Sequence, residues 1–374
     1  MIKAKNLEQA SRNTKILIAP LDWGLGHTTR CIPIISQLIK QDIQVFIVAD
    51  KHNYSLLKEE FPSAVFLLYK GYGIEYSRKR KFFLIKLLFQ LPKVVLHVFR
   101  ENRWLKKTVK RFSIDAVISD NRFGMYNRNI PCVYITHQLH IETGNRFLNK
   151  IAAAIHYFFI KKYSQCWVPD FKENGLAGKL SHPDKIPKNV SYIGPLSRFK
   201  NLPASTVNFD LLISISGPEP QRTIFEKKIL FQLKKFPGKA ILVRGLPSDS
   251  NKIENFNQVQ IENHLCSDRL NLAIEQSKII ISRGGYTSIM DFALLKKQAV
   301  LVPTPGQLEQ EYLCRYLLSK KYFLAIQQEK FELEDAFKKA AQFDFQPIDF
   351  SNEMYQKTVN EFVLSLKSAN FASQ

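Results

Sequence analysis

Lys278–Leu317 reads KIIISRGGYTSIMDFALLKKQAVLVPTPGQLEQEYLCRYL. Its isoleucine run is the fully apolar kind of strand that a parallel sheet buries on both faces. Arg283-Gly284-Gly285 then turns the chain, and a helix is predicted to open near Thr287–Ser288. Glycine there lets backbone approach a ligand without a Cβ in the way. The helix start offers unpaired N–H groups and the positive end of a dipole to an anion such as a pyrophosphate. Asp291 falls one turn into that helix and is expected at a cleft edge, placed to take both hydroxyls of a ribose. An acid in a first helical turn also simply favours the dipole, and both readings stay open. A second buried strand ends at Pro303, and a polar loop leads to Glu309-Gln310-Glu311, side chains suited to sugar hydroxyls.

Outward from this stretch the same alternation continues. DLLISIS, KAILVRG and AVLVP are further short apolar strands separated by helical segments. Before them, KILIAP, QVFIVA, AVFLLY, DAVIS and PCVYIT form an earlier set, with helices over Thr28–Lys40 and Phe147–Lys162. Strand–helix alternation of this kind gives parallel sheets covered on both faces. The break between the sets, near Pro195–Asn208, carries proline, glycine and polar residues and reads as a linker. The fold class is therefore α/β, with two Rossmann-like doubly wound domains facing across a cleft. The divisions are a polar N-terminal tail over 1–14, a first domain over 15–200, a second over 201–350, and a C-terminal helix and tail over 351–374. Each domain is expected to open its ligand crevice at the carboxyl ends of its strands.

A chain of 374 residues with 45% hydrophobic and 23% charged residues is globular and suits two domains. The five cysteines lie far apart without a CxxC pair, which argues for reduced thiols in a cytosolic protein and against structural zinc. The first residues lack an apolar h-region and read as a polar tail rather than a signal peptide. Formal net charge is +21, and Arg78–Arg111 holds twelve Lys and Arg against one acid, Glu101, a net of +11. That window contains FFLIKLLFQLPKVVLHVF (Phe82–Phe99), too interrupted to span a bilayer. Apolar and aromatic residues flanked by Lys and Arg suit an interfacial helix on anionic lipid. A pair of basic amphipathic helices capping a domain is the plainer alternative. Nucleic acid is disfavoured, because the stretch is as aliphatic as it is basic and carries no recognised motif.

At the start of the first domain, LDWGLGHTTR follows the strand ending at Pro20. Gly24 and Gly26 bracket one leucine before His27, at the mouth of the first crevice. A histidine there suits general-base work near neutral pH; an ordinary turn with His27 capping the helix explains the same residues. His140 and His156 read as ordinary surface or helix residues.

Taken together, these motifs resemble the MurG-like group of GT-B glycosyltransferases, which transfer N-acetylglucosamine from UDP to a lipid-linked acceptor. GLGH matches the group's glycine-rich loop, with Gly26 and the histidine, and SRGGYTSIMD matches its C-terminal loop and helix, with Arg283, Gly284, Gly285, Thr287, Ser288 and the ribose-binding acid at Asp291. EQ matches the polar pair near the donor sugar, here Glu309 and Gln310. IGPLSRF resembles the linker strand ending in a donor-contacting arginine, here Arg198, and NIPCVYITHQ with the following helix resembles the acceptor side. The resemblance runs from about Lys15 to Leu324. The chain departs from it at SGPEPQR, where only Gly217 remains of a glycine-rich phosphate loop and Arg222 is left to supply charge, and at Gly284, where the group often has serine. GLGHTTRC also resembles the start of nucleotide-sugar hydrolases on the same fold.

The resemblance implies a metal-independent inverting transfer of a hexosyl or N-acetylhexosaminyl group from a nucleotide sugar, with UDP the expected carrier, to a hydroxyl of a glycan or lipid-linked acceptor. No metal and no cofactor is expected, since no Asp-x-Asp pair is present. His27 is the expected base, with Asp120 and His137 as the other candidates. The expected location is cytoplasmic, peripheral on the inner face of the membrane through residues 78–111. Hydrolysis of a nucleotide sugar, and a non-catalytic GT-B-like protein binding membrane or polyanion through its basic face, are the alternatives.

Overall fold

The computed structural model describes residues 13–22, 25–51, 53–71, 83–203, 206–247, 251–349 and 353–372. Most of the polar tail, Gly24 and the 78–82 part of the basic window lie outside the described residues.

The first domain is built from β1 (Lys15–Pro20), α1 (Leu25–Ile39), β2 (Gln44–Ala49), α2 (Tyr54–Glu60), β3 (Val65–Leu68), α3 (Phe83–Phe112), β4 (Ala116–Asp120), β5 (Cys132–Ile135), α4 (Arg146–Ile160), β6 (Gln165–Val168) and β7 (Val190–Tyr192). Its parallel sheet has the order β3-β2-β1-β4-β5-β6-β7. The second domain runs through β8 (Phe209–Ser214), α5 (Gln221–Leu233), β9 (Ala240–Val243), β10 (Val259–Glu262), α6 (Ser267–Glu275), β11 (Ser277–Arg283), α7 (Tyr286–Leu294), β12 (Ala299–Val302), α8 (Leu308–Ser319), β13 (Leu324–Ala325) and α9 (Leu333–Gln342). Its sheet has the order β10-β9-β8-β11-β12-β13, again parallel. Both are doubly wound. Among the described residues, the segment between β7 and β8 contains neither helix nor strand.

Strand order reverses between β1 and β4 in one sheet and between β8 and β11 in the other, and such switch points are where ligand crevices open. The register is specific: Pro20 pairs with Asp120 and Asp120 with Ile135. The loops leading to His27, to Asn121 and to His137 therefore leave the sheet side by side.

Several elements differ from the sequence reading. Residues 83–99 of that stretch are part of one helix, α3, continuous through Pro92, rather than a pair. Helix α1 opens at Leu25, ahead of Thr28, so Gly26 and His27 are inside its first turn. The last helix, α10 (Glu353–Ala372), returns to the first domain: Asn360 Oδ1 accepts from Gln37 and Gln41 at 2.8 and 2.9 Å, and Phe362 meets Trp167 edge-on at 5.5 Å. His156 is a helix residue, on α4, and is buried in the core. It bonds Tyr134 Oη at 3.2 Å, and burial pushes its imidazole down to about 4.

Candidate active site between the two domains

His27 and Arg30 sit three residues apart on α1 and so share a helix face. That face looks onto Asp120, the last residue of β4, which is fully buried. Arg30 grips Asp120 with a fork: Nε donates to Oδ2 at 3.1 Å and Nη2 to Oδ1. His27 Nδ1 lies 3.3 Å from Asp120 Oδ1 and 2.9 Å from Arg30 Nη2. Burial alone would raise the Asp120 carboxyl, but the Arg30 charge, then His27 and the hydrogen bonds from both, outweigh it and hold it at about 2. Asp120 is thus a fixed anion, a weak base with both oxygens engaged.

The remaining arm of Arg30 reaches past β4. Nη1 lies 2.8 Å from Nδ1 of His137, just beyond β5. A guanidinium only donates, so Nδ1 accepts, and the His137 proton must be on Nε2. That N–H donates to Glu309 Oε1, 2.7 Å away on α8 of the second domain. Burial lowers the pKa of His137 against the raising pull of Glu309, which keeps the ring neutral. With both nitrogens occupied, His137 is excluded from base duty in this arrangement. Among the three candidates, only His27 has a ring nitrogen, Nε2, without a described partner.

Other bonds close the cleft around this network. Thr287, in the first turn of α7, donates Oγ1 to the Gly26 carbonyl at 2.9 Å. Tyr286 Oη donates to the Pro169 carbonyl at 2.9 Å, and its ring stacks on His137 with centroids 4.2 Å apart. The first turn of α7, with Gly285, Thr287 and Ser288, is therefore brought against the His27 end of α1.

On the second domain, Gly217 has φ +109°, a conformation L side chains rarely adopt, so the turn after β8 needs glycine. At Gly284 a Cβ would come within 2.4 Å of Cys314 Sγ, whereas at Gly285 it would meet open space. The glycine at 284 is thus required by helix packing, and the open space lies at Gly285. Gln310 Oε1 accepts from Thr304 N at 2.9 Å, which fixes the side chain behind β12.

Other expected donor residues are placed differently. Asp291 is not at an exposed edge. It is 4% exposed, and Oδ1 accepts from Ser197 Oγ at 2.6 Å in the linker segment. Burial raises its carboxyl to about 6, with the neighbouring Arg198 charge and the Ser197 bond pulling the other way. Arg198 lies beside it, with its guanidinium 4.9 Å from the Phe199 ring. Arg222 does not stand free in place of missing glycine amides: Glu219 pairs with it at 2.5 Å and Glu226 at 3.3 Å. Arg283 is fully buried, stacked on Phe225 at 4.2 Å, and donates to the Gln221 carbonyl at 2.9 Å; burial lowers its pKa to about 10. Arg283 therefore supports the β11–α5 junction from beneath. Arg30, which the sequence leaves without a role, is the residue the network turns on, and its i, i+3 spacing from His27 was the available signal. Among the described residues, no group of three or more His, Cys, Asp or Glu is set to hold a metal ion.

Comparison with known structures places this architecture. A glycosyltransferase of kitacinnamycin superposes with TM-score 0.61 at 14% identity, covering 96% of each chain. The calicheamicin glycosyltransferase CalG4 gives 0.60 at 13% over 95% of each. The fold is that of the GT-B glycosyltransferases. MurG of Acinetobacter baumannii shares it at TM-score 0.50 and 14% identity, over 93% of this chain and 99% of that one. Residues 226–368 match the model of the glycosyltransferase family 28 C-terminal domain, the half of a GT-B chain that carries the Gly285 opening. A Methanosarcina acetivorans protein described as an uncharacterized glycosyltransferase is 22% identical over 321 residues, 79% of this chain and 81% of its own. The partial family match, the description of the relatives and the fold all point to a glycosyltransferase.

Proposed function

We propose that the protein is a metal-independent, inverting glycosyltransferase that moves a hexosyl or N-acetylhexosaminyl group from a UDP-sugar to a hydroxyl of a glycan or lipid-linked acceptor. The observation that carries this reading is the placement of His27, backed by the Asp120 anion, against the open N-terminus of α7. The donor diphosphate would lie at Gly285 and the first turn of α7, whose N–H groups meet developing negative charge as the leaving group departs. Glu309 and Gln310, at the start of α8, would face the transferred sugar, and Asp291 would take the ribose once the covering Ser197 hydroxyl gives way to it. In the tautomer that turns Nδ1–H to Asp120, Nε2 of His27 takes the acceptor proton. The acceptor oxygen forms its bond to the anomeric carbon on one face while the bond to the diphosphate breaks on the other. The diphosphate keeps the electron pair, and the sugar inverts. Metal independence is part of the same proposal, with the N–H groups at the start of α7 meeting the charge of the diphosphate.

The test is a thermal-shift screen of nucleotides and nucleotide sugars, followed by release of nucleoside diphosphate with and without acceptor glycans. Ligand at about 100 times its dissociation constant stabilises by ~2.7 kcal/mol. Release that requires acceptor supports transfer, release that water alone sustains favours the hydrolase, and no shift with any nucleotide overturns the proposal.

Asp291 gives a more specific expectation. Its carboxyl sits at about 6 in the unliganded protein. Two ribose hydroxyls donating to it favour the charged form and bring that value down. Nucleotide-sugar binding at pH 6 should therefore release a proton, and Asp291→Asn should bind roughly tenfold or more weakly without release, since a hydrogen bond to a charged group is worth ~1.5–3 kcal/mol. Calorimetric titration in two buffers of different ionisation enthalpy reads both effects. Buffer-independent heats in the wild type would remove Asp291 from the ribose.

We also propose peripheral attachment to anionic membrane, on the cytoplasmic face. No helix among the described residues is long and apolar enough to cross a bilayer. Support comes from a face wider than the 78–111 window. Helix α4 exposes Phe147, Ile151, Ile155 and Phe158 at helical spacing, and the neighbouring part of α3 exposes Val95, Leu96 and Phe99. The two helices meet through Val94, Val98 and Phe159. Lys150, Lys161 and Lys162 flank the α4 stripe. Each basic residue near an anionic surface adds ~1 kcal/mol. Phe147→Glu with Phe158→Glu should lower binding to phosphatidylserine-containing vesicles by at least about tenfold, since each lost aromatic insertion is worth ~1.5–3 kcal/mol, and leave the melting temperature unchanged. Undiminished co-sedimentation of the double variant would take α4 out of the contact.

A further inference from the structure

We infer that Asp22, just beyond the carboxyl end of β1, binds a neutral sugar of the acceptor through hydroxyls that donate to its carboxylate. The inference rests on the reading of the first domain as the acceptor side of a glycosyltransferase.

Asp22 stands two residues past Pro20, at the switch point of the first sheet, on the loop that leads to His27. Five residues of chain reach at most roughly 18 Å, so Asp22 belongs to the same crevice mouth as the proposed base. Its carboxylate is pressed against the backbone at Gly71, which lies just beyond β3. A Cβ at Gly71 would overlap Cγ and both oxygens of Asp22. The φ of Gly71 is outside the left-handed region, so the approach of Asp22, and not the backbone conformation, requires glycine there. Held in this way, Asp22 Oδ1 is shielded from water and meets no hydrogen-bond donor. Leaving a carboxylate oxygen so placed is costly. An acid with no task at this loop would turn outward to water instead.

The surroundings indicate which kind of donor completes it. Tyr69, directly after β3, is grouped with two residues of α3, His97 at 5.7 Å and Trp104 at 4.6 Å between ring centroids. The charge of Asp22 acts on the His97 ring, whose pKa burial lowers against the pull of Glu101 and Asp22. Arg122, 5.5 Å from the Tyr69 ring, is paired with Glu101 at 2.6 Å, so its charge is already balanced. One polar group among aromatic side chains is the usual make-up of a site for a neutral small ligand. A carboxylate only accepts. Hydroxyls suit it, whereas a phosphate or a second carboxylate brought against it meets like charge. The contacts proposed for the donor lie on α7 and α8 of the other domain, so the sugar at Asp22 is the acceptor's.

The test is ligand-observed NMR of the full chain with the methyl glycosides of glucose, galactose, mannose and N-acetylglucosamine. Methyl glycosides of glucuronic acid and glucosamine supply an anionic and a cationic probe. At least one neutral glycoside should bind the wild type, and the glucuronide should bind more weakly than the glucoside. Asp22→Asn should bind the neutral sugar roughly tenfold or more weakly, the usual loss when a hydrogen bond to a charged group is weakened. Gly71→Ala, whose methyl group displaces the carboxylate and keeps its charge, should lose the same sugar. Melting temperature separates binding from a structural role: Asp22→Asn should melt at or above wild type, because an amide is less costly than a carboxylate to leave without a partner. An earlier melt or a failure to fold, no neutral glycoside bound, affinity that Asp22→Asn leaves intact, or a glucosamine glycoside that binds more tightly than every neutral one would each overturn the inference. If a neutral glycoside binds through Asp22 while no nucleotide sugar is turned over, the transferase reading fails and the sugar site stands. Turnover with the acceptor KM unchanged in Asp22→Asn removes the site and leaves that reading in place.

Discussion

His27→Ala is expected to lose turnover by about 10²–10⁴-fold, the usual loss when general-base assistance is removed, with nucleotide affinity and melting temperature close to wild type. The structure explains why stability should be spared. The His27 side chain is 20% exposed at the cleft, and Asp120 keeps the Arg30 fork on both oxygens when the imidazole is gone. Donor affinity should hold because the proposed diphosphate and ribose contacts lie on α7 of the other domain. The variant needs three readings on one preparation: melting temperature, nucleotide affinity by calorimetry, and release of nucleoside diphosphate. A variant that only melts earlier would return His27 to a capping role. Undiminished turnover would leave none of the three candidates as base, since Asp120 is pinned by Arg30 and His137 is occupied at both nitrogens.

The residues that locate this site were readable because they depend on local rules. A buried strand followed by Gly284-Gly285 and a helix start is a local pattern, and so is the strand, glycine and histidine at Pro20–His27. Topology then gathers them, because β1 and β4 must be neighbours in a doubly wound sheet and Asp120 ends β4. What escaped the sequence depends on distance. Strands β6, β7, β10 and β13 are two to four residues long and lack a strong apolar run, so only their partners define them. The His137–Glu309 bond joins residues 172 positions apart, and nothing in either neighbourhood announces it. Arg222 looked like a free cation beside a glycine-poor loop; its neutralisation by Glu226 and Glu219 needed helix α5 to start at Gln221. Asp291 was expected at an open edge because helix starts are usually exposed, whereas the segment after β7 folds over this one and Ser197 covers it. The α4 stripe was present as Phe147, Ile151, Ile155 and Phe158, a spacing that marks an apolar face without saying whether protein or lipid covers it.

Asp120→Asn should be the most damaging single change to stability. The substitution is isosteric, yet it places an amide N–H against one of the Arg30 N–H groups and leaves a buried guanidinium without its counter-ion. Breaking one partner of a buried pair costs about 3–5 kcal/mol, which for a domain of this size lowers the melting temperature on the order of 10 °C. The same pair sets an acid limit on the wild type. The Asp120 carboxyl is held at about 2, below the unfolded value of about 3.9. Its contribution, roughly 2–3 kcal/mol, is therefore fully present above the unfolded value and is lost as pH falls through the folded one, between about 4 and 2. Asp120→Asn should lack that part of the acid transition, so its stability difference from wild type should shrink as pH falls through this window. Turnover should drop with it, because the imidazolium that forms when His27 takes a proton would lose the anion behind it. Urea melts at neutral pH and at pH 3 separate the electrostatic loss from a packing defect. A difference that stays constant across that range would mean that Asp120 is held at its ordinary carboxylate value and that Arg30 does not depend on it.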